Sequence, residues 1–116
     1  MYHRDLDVYK MAIELAIDIY KATESFPKSE MYSLCDQMKR ASVSVSSNIA
    51  EGAARQTVKE FIQFLYISSG SLAELESQLL IAHKLGYIND FDTLNDKIET
   101  VKKMIHGLIR HQKQKL

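Results

Sequence analysis

The sequence predicts an all-α fold, an antiparallel up-down-up-down bundle of four helices in a single domain over residues 1–116. The chain holds only four glycines and one proline, so it has few places to turn and favours few, long elements. Apolar side chains recur every three or four residues through four stretches, which is the period of an amphipathic helix. Short connections between long helices favour antiparallel neighbours.

The first helix is predicted over about residues 5–25. It carries two apolar rows: Leu6, Tyr9, Ile13, Ala16 and Tyr20 form one, and Val8, Ala12, Leu15, Ile19 and Ala22 form the other. Two rows predict a buried arc that is broader than one bundle seam can cover, and we therefore expect a homo-oligomer. Phe26 and Pro27 end the helix, because the residue before a proline avoids the α region.

The second helix is predicted from about Ser29, as the N-cap, to Glu51 or Gly52, with Gly52 as the C-terminal break. Its apolar row consists of Met31, Leu34, Met38, Ala41, Val45 and Asn48, with Ile49 beside it. The second half is rich in serine, a mediocre helix former, so packing must stabilise the helix there.

The third helix begins with capping-box spacing, Thr57 at the N-cap and Glu60 at N3, and Gly86 ends it. Its row consists of Phe61, Leu65, Ser68, Leu72, Leu75, Leu79 and Ala82. Gly70 lies in mid-helix, where glycine costs on the order of 1 kcal/mol relative to alanine. We expect a close crossing there against the serines of the second helix; a ligand site or a hinge is the alternative.

The fourth helix is predicted from about Asp90 to Gln112 or beyond, with Asn89 or Asp90 as its cap. Its core row consists of Leu94, Ile98, Val101, Ile105 and Leu108. Glu99 and Lys103 have the i,i+4 spacing of a supportive ion pair.

Composition excludes several classes of protein. The formal net charge is zero, with 15 basic and 15 acidic residues, which removes the domain-wide basic excess of many nucleic-acid binders but leaves a local patch open. Cys35 is the single cysteine, so no disulfide or cysteine zinc cluster can form. The N-terminus is polar and no apolar run approaches the roughly 20 residues of a membrane span, so we expect a cytoplasmic protein with no membrane contact.

Catalytic and metal motifs are missing from the sequence. The histidines are His3, His83, His106 and His111. No two of them have the i,i+3 or i,i+4 spacing that would let them bind one metal ion from the same face of a helix. There is no Glu-x-x-His pair, phosphate-binding loop or nucleophile elbow. We therefore expect no enzyme activity, no catalytic residue, no metal site and no cofactor.

A polar constellation marks the end of the second helix. Arg40, Ser44, Ser47, Glu51 and Arg55 fall along one helix face, and Asn48 and Gly52 lie beside them. We interpret this set as a network that fixes helix packing, loop geometry or a subunit interface. A binding surface for a partner or a nucleic acid, and a catalytic site, are the alternatives.

The end of the fourth helix is basic and contains no acid. Its cations are Lys102, Lys103, Arg110, Lys113 and Lys115. Cations there complement the helix macrodipole. The alternative is a phosphate-binding patch, which would become potent if several subunits brought their tails together.

Several segments together resemble the 23S rRNA intervening-sequence proteins, also called the S23 ribosomal protein family. They are Arg4-Asp5-Leu6-Asp7-Val8-Tyr9-Lys10-Met11-Ala12, Asn48-Ile49-Ala50-Glu51-Gly52, Gly70-Ser71-Leu72-Ala73-Glu74-Leu75-Glu76 and Leu85-Gly86-Tyr87-Ile88, with Phe26-Pro27, Arg40-Ala41, Ser44-Val45, Arg55 and Phe64-Leu65. The likeness covers nearly the whole chain in order. Tyr9 departs from it, since the family often has tryptophan there.

The resemblance implies a four-helix bundle that assembles into a ring-like homo-oligomer, a pentamer. A branch of similar fold, the accessory proteins of diversity-generating retroelements, partners a reverse transcriptase and nucleic acid, but this chain lacks that branch's basic excess. Our leading hypothesis is a non-catalytic homo-oligomer that binds RNA or an RNA-associated protein. The alternative is a protein-interaction scaffold or adaptor with no nucleic-acid role.

Overall fold

The computed structural model describes residues 2–3 and 6–116. It contains four α-helices: α1 Asp7–Thr23, α2 Leu34–Ala53, α3 Val58–Lys84 and α4 Phe91–Lys113, with a 3₁₀ turn at Lys28–Glu30 between α1 and α2. α1 packs beside α2 and α4, and α3 packs beside the same two helices, so α1 and α3 lie on a diagonal of the bundle. The predicted all-α helical fold is confirmed; the predicted start at Asp5 lies outside the described residues.

The contacts of α3 are those of a helix antiparallel to α2 and to α4. Ser68 bonds to Val45 of α2, and the earlier Phe64 lies against the later Gly52. Glu76 pairs with Lys102 of α4, and the earlier Tyr66 lies beside the later Lys113. Within the described residues, no helix is long and apolar enough to cross a membrane.

Only one of the two apolar rows of α1 lies mainly in the core, and its last residue, Ala22, is partly buried. Val8, Ala12, Leu15 and Ile19 belong to the core. In the other row Ile13 and Tyr20 are exposed. The expected broad arc is therefore half covered by the protein's own helices, and the remainder faces outward beside α2.

The start of α2 corrects the prediction. Ser29 is not an N-cap: it lies in the 3₁₀ turn, and the helix begins five residues later at Leu34. The Tyr87 hydroxyl donates to the Glu30 carboxylate at 3.0 Å, and the Ser33 hydroxyl donates to the same carboxylate at 2.7 Å. Both bonds lower the pKa of Glu30, with that from Ser33 the stronger cause. They hold the chain in a turn where local sequence favoured helix, and Met31 is exposed rather than in the core row.

α2 and α3 cross at very close range. A Cβ built on Gly52 would lie 2.6 Å from the Cβ of Phe64, so only glycine fits without displacement. Ser68 is fully buried and donates to the Val45 carbonyl at 2.7 Å. The predicted crossing against the serines of α2 is thus present, but two details were wrong. Gly52 lies inside α2 rather than breaking it, and Gly70 faces away from the crossing into open space.

The ends of α3 follow local signals. Thr57 caps the helix, since its hydroxyl oxygen accepts from the Glu60 amide at 3.1 Å and its hydroxyl donates to the Glu60 carboxylate at 2.8 Å. At the other end Gly86 has a φ of 79°. The Gly86 amide donates to the His83 carbonyl and the Tyr87 amide to the Ala82 carbonyl, the pattern of a Schellman motif.

α4 matches its predicted range closely, with two corrections to its polar contacts. Asp90 occupies the N-cap position without a side-chain capping bond. Glu99 pairs with Lys102 at 3.1 Å, not with Lys103. Lys97 bonds to Asp18 and ties α4 to α1.

Candidate interaction surfaces

The structure divides the predicted polar network between two places. Asn48 donates to the Ser44 carbonyl at 2.8 Å and to the Ser44 hydroxyl at 2.9 Å. That hydroxyl lies 2.8 Å from the hydroxyl of Ser71 on α3. One turn further along, Arg55 pairs with Glu51 at 2.9 Å and lies over the Phe64 ring at 4.7 Å. With Gly52, these residues line the α2–α3 crossing, where they contact the protein's own helices.

Arg40 and Ser47 lie away from this crossing. Arg40 pairs with Asp36 at 3.1 Å, and its side chain is 81% exposed. Ser47 is exposed toward α1. Spacing along one helix predicted a shared face, but it could not tell which of these residues α3 covers.

An apolar groove runs along the surface between α1 and α2, and we call it the α1–α2 groove. Its volume is about 610 Å³. It is lined by Tyr9, Ile13, Ala16, Ile17, Tyr20 and Lys21 of α1 and by Val43, Ser46, Ser47 and Ala50 of α2. Ile17 is 49% exposed and Tyr20 is 46% exposed. The first apolar row of α1 was the sequence signal for this surface, but the part contributed by α2 was missed.

A second surface follows the outward side of α3. Ile67, Gly70, Glu74, Ser77 and Ile81 recur at spacings of three and four residues, so they share one helix face, and all five are exposed. Ile67 is 52% exposed and Ile81 is 50% exposed. We call this row the α3 face. It was not predicted, although isoleucines outside the core row of a long helix were a usable signal.

At the basic end of α4, one lysine is paired with acidic side chains and the other cations are exposed. Lys102 is held by Glu76 and Glu99, each at 3.1 Å, and these bonds raise its pKa, with that to Glu76 the stronger cause. Lys103, Arg110 and Lys113 are exposed and share one face; we call them the α4 stripe.

Two further lysines, Lys113 and Lys115, lie at this end of the chain. The ammonium of Lys113 lies over the Tyr66 ring of α3, 5.5 Å from its centroid. Lys115 is exposed beyond the end of the helix. The five predicted cations therefore do not form one patch, because Lys102 is engaged by acids and Lys115 follows the helix.

The sequence matches the family model of the 23S rRNA-intervening sequence proteins over residues 4–107. The chain belongs to this family. A crystal structure of a protein of unknown function from the S23 ribosomal protein family of Bacteroides thetaiotaomicron VPI-5482 superimposes with a TM-score of 0.79, at 23% identity, over 88% of this chain and 97% of that chain. At that identity the likeness shows the fold. A search of curated proteins found no match.

In this member of the 23S rRNA-intervening sequence proteins, two histidines and the cysteine have contacts within the chain. His83 stacks on Phe91, and the His106 ring nitrogen lies 3.3 Å from the Ser69 hydroxyl. Cys35 is buried, and that burial raises the pKa of its thiol. Among the described residues, no three histidine, cysteine or acidic side chains group as metal ligands would.

Proposed function

We propose that this chain is the non-catalytic subunit of a homo-oligomer that binds RNA or an RNA-associated protein. The α1–α2 groove carries the proposal, because it leaves large apolar side chains in contact with water. Contiguous apolar patches of this kind mark interaction sites in soluble proteins. A second copy of the chain would cover these side chains. From the resemblance to the family we further propose that the homo-oligomer is a ring of five subunits, and that it is located in the cytoplasm.

Self-association is tested by light scattering across micromolar protein concentrations. We expect a mass several times the 13.3 kDa of the chain. Ile17→Asp places a charge in the groove and should reduce the mass to that of the monomer, with helicity retained in circular dichroism. Tyr32→Asp is the matched control, since Tyr32 is the most exposed of the large apolar residues described and lies outside the groove. A monomeric wild-type protein would remove this part of the proposal.

RNA binding is assigned to the α4 stripe. Its three cations lie on one exposed face, and no acid follows Glu99 in the sequence. Three phosphate contacts per subunit are few, since each contributes a slope of about −0.7 to the logarithm of affinity against the logarithm of salt concentration for a single strand. Affinity would therefore depend on several subunits presenting their stripes to one RNA, which makes binding depend on assembly.

The test is a salt titration with a fluorescent single-stranded RNA of mixed sequence. Replacing Lys103, Arg110 and Lys113 together by glutamine should abolish binding at low salt and leave the oligomer mass unchanged. Replacing Lys28, Lys59 and Lys84 by glutamine removes the same charge from exposed positions on other elements and should leave most of the affinity. Equal losses in the two triple variants would refute the assignment to α4.

The second candidate function is a protein adaptor with no nucleic-acid role, which the zero net charge favours. It predicts that wild-type protein shows no RNA binding even at low salt. It also predicts that a protein partner is recovered equally well before and after nuclease treatment. The homo-oligomer is common to both candidates, so the RNA titration decides between them.

A further inference from the structure

We propose that the α1–α2 groove of one copy is covered by the α3 face of the next copy, in a head-to-tail contact. The inference rests on the proposed homo-oligomer and names the two surfaces that meet. The chain exposes both surfaces: the groove is lined mainly by apolar residues, and the α3 face carries two half-exposed isoleucines, Ile67 and Ile81.

The positions of the two surfaces favour a head-to-tail contact. α1 and α3 occupy a diagonal of the bundle, so the groove beside α1 and the outward side of α3 face different directions. A two-fold contact joins the same patch of both subunits and would leave the other surface uncovered. A contact between unlike surfaces, repeated from copy to copy, covers both.

The shapes of the two surfaces are also complementary. The groove is a depression between two helices, and small residues, Ala16, Ser46 and Ala50, are among those that line it. The α3 face is the outward side of a single helix and is therefore convex, with Glu74 between the isoleucines Ile67 and Ile81 at its ends. Fourteen residues of helix separate the two isoleucines, roughly 21 Å at 1.5 Å per residue.

Gly70 supports a contact with another molecule at the middle of the α3 face. A Cβ at this position would meet nothing within 4 Å, so the fold itself gives no reason for a glycine there. Glycine inside a helix is unfavourable relative to alanine. The close approach of a second backbone supplies the missing reason, as it does for Gly52 within the chain.

Charge complementarity supports the same pairing. Lys21 lines the groove, and the ammonium of Lys39 lies at its end, 5.1 Å from the centroid of the Tyr20 ring. Glu74 is exposed at the centre of the α3 face, and the described part of the chain gives it no ion pair. Pairing unlike surfaces brings Glu74 near lysines, whereas pairing like surfaces would oppose charges of one sign.

The decisive experiment mixes two variants that each lack one surface. Ile17→Asp disables the groove and keeps the α3 face, and Ile81→Asp does the reverse. Each variant alone should be a folded monomer. An equimolar mixture should form a heterodimer of twice 13.3 kDa and nothing larger, because it contains one intact pair of surfaces.

Other outcomes overturn the pairing. If Ile81→Asp assembles like the wild type, the contact is groove to groove; if Ile17→Asp does so, it is α3 to α3. If both variants are folded monomers and the mixture stays monomeric, the two surfaces do not meet. A monomeric wild-type protein would instead refute the proposed homo-oligomer, so the two failures are distinguishable.

A second variant tests Gly70 without introducing charge. Gly70→Leu should fold as well as the wild type, because its own helices leave the position open. It should weaken self-association at least tenfold, since the leucine would separate the two helices. Gly107→Ala, a change at the other open glycine of a helix surface, should leave self-association unchanged. Unaltered self-association in Gly70→Leu would contradict the close approach.

Discussion

Gly52 and Gly70 are both glycines within long helices, and their surroundings are opposite. Gly52 is buried against Phe61 and Phe64, whereas Gly70 has open space around it. The sequence placed Gly52 at the end of the second helix, and it does lie in the last turn of α2, but close packing rather than a break explains it. The sequence placed Gly70 at a close crossing within the chain, and that assignment was wrong. Spacing along one helix places a residue on a face, but the distance to the neighbouring helix depends on side chains far away in sequence.

The close approach at Gly52 gives a prediction at this scale. Gly52→Ala should reduce the free energy of unfolding by about 1–3 kcal/mol, because the added methyl group meets the Cβ of Phe64 and the ring of Phe61. Urea denaturation measures the change. Gly107→Ala is the matched control and should stabilise the protein by up to about 1 kcal/mol, since its nearest contact is an ordinary 3.8 Å to Arg110. A neutral or stabilising Gly52→Ala would show that the helices yield easily there.

At the scale of single elements, the accuracy of the sequence prediction depended on whether the signal was local. The capping hydroxyl of Thr57 and the left-handed Gly86 act within a few residues, and both ends of α3 were predicted correctly. The start of α2 was not, because the bond from Tyr87 to Glu30 spans 57 residues. The α1 side of the groove was predicted, because its apolar row is a local pattern in the sequence. The α2 side was not predicted, because its position depends on how the two helices pack.

Lys102 joins α3 to α4, and its contacts predict a pH-dependent stability. Hydrogen bonds to Glu76, and then to Lys102, lower the pKa of Glu99. A carboxylate whose pKa is lowered by folding stabilises the fold above its unfolded pKa, and this contribution is lost as the pH falls through the folded value. Lys102→Gln should therefore destabilise the protein at neutral pH and have a smaller effect below the ordinary glutamate pKa of 4.5.

Thermal unfolding at neutral and acidic pH measures this dependence, in an Ile17→Asp background so that assembly does not contribute. Lys59→Gln is the control, because Lys59 is exposed on another helix and the described residues give it no ion pair. A Lys102→Gln effect of equal size at both pH values would mean that the aliphatic part of the side chain, and not its charge, stabilises the α3–α4 contact.

For the whole molecule, the proposed assembly predicts that association and stability are coupled. A subunit that buried apolar surface in a ring would unfold with dissociation, so its melting temperature should rise with protein concentration. We expect a clear rise over an increase of about a hundredfold in concentration for the wild type. Ile17→Asp should show a lower melting temperature that does not vary with concentration. Differential scanning fluorimetry measures both, and a constant melting temperature for the wild type would contradict a coupled assembly.

The sequence predicted the bundle and an excess of apolar surface, because both follow from the period and number of apolar residues. It could not place the α3 face, since a residue outside the core row of a long helix is equally consistent with simple exposure. The sequence also did not predict that Lys102 is separated from the other basic residues of α4, because Lys102 pairs with Glu76, which lies on another helix.

The crossing at Gly52 has a consequence for the motions of the free chain. With no gap between α2 and α3, and with Ser68 bonded to the backbone of α2, the two helices have little room to slide and are expected to open together. α1 has one face in the core and another over the open groove, so we expect it to detach at lower free energy than α2 or α3. The amide hydrogens of α1 should therefore exchange before those of α2 and α3.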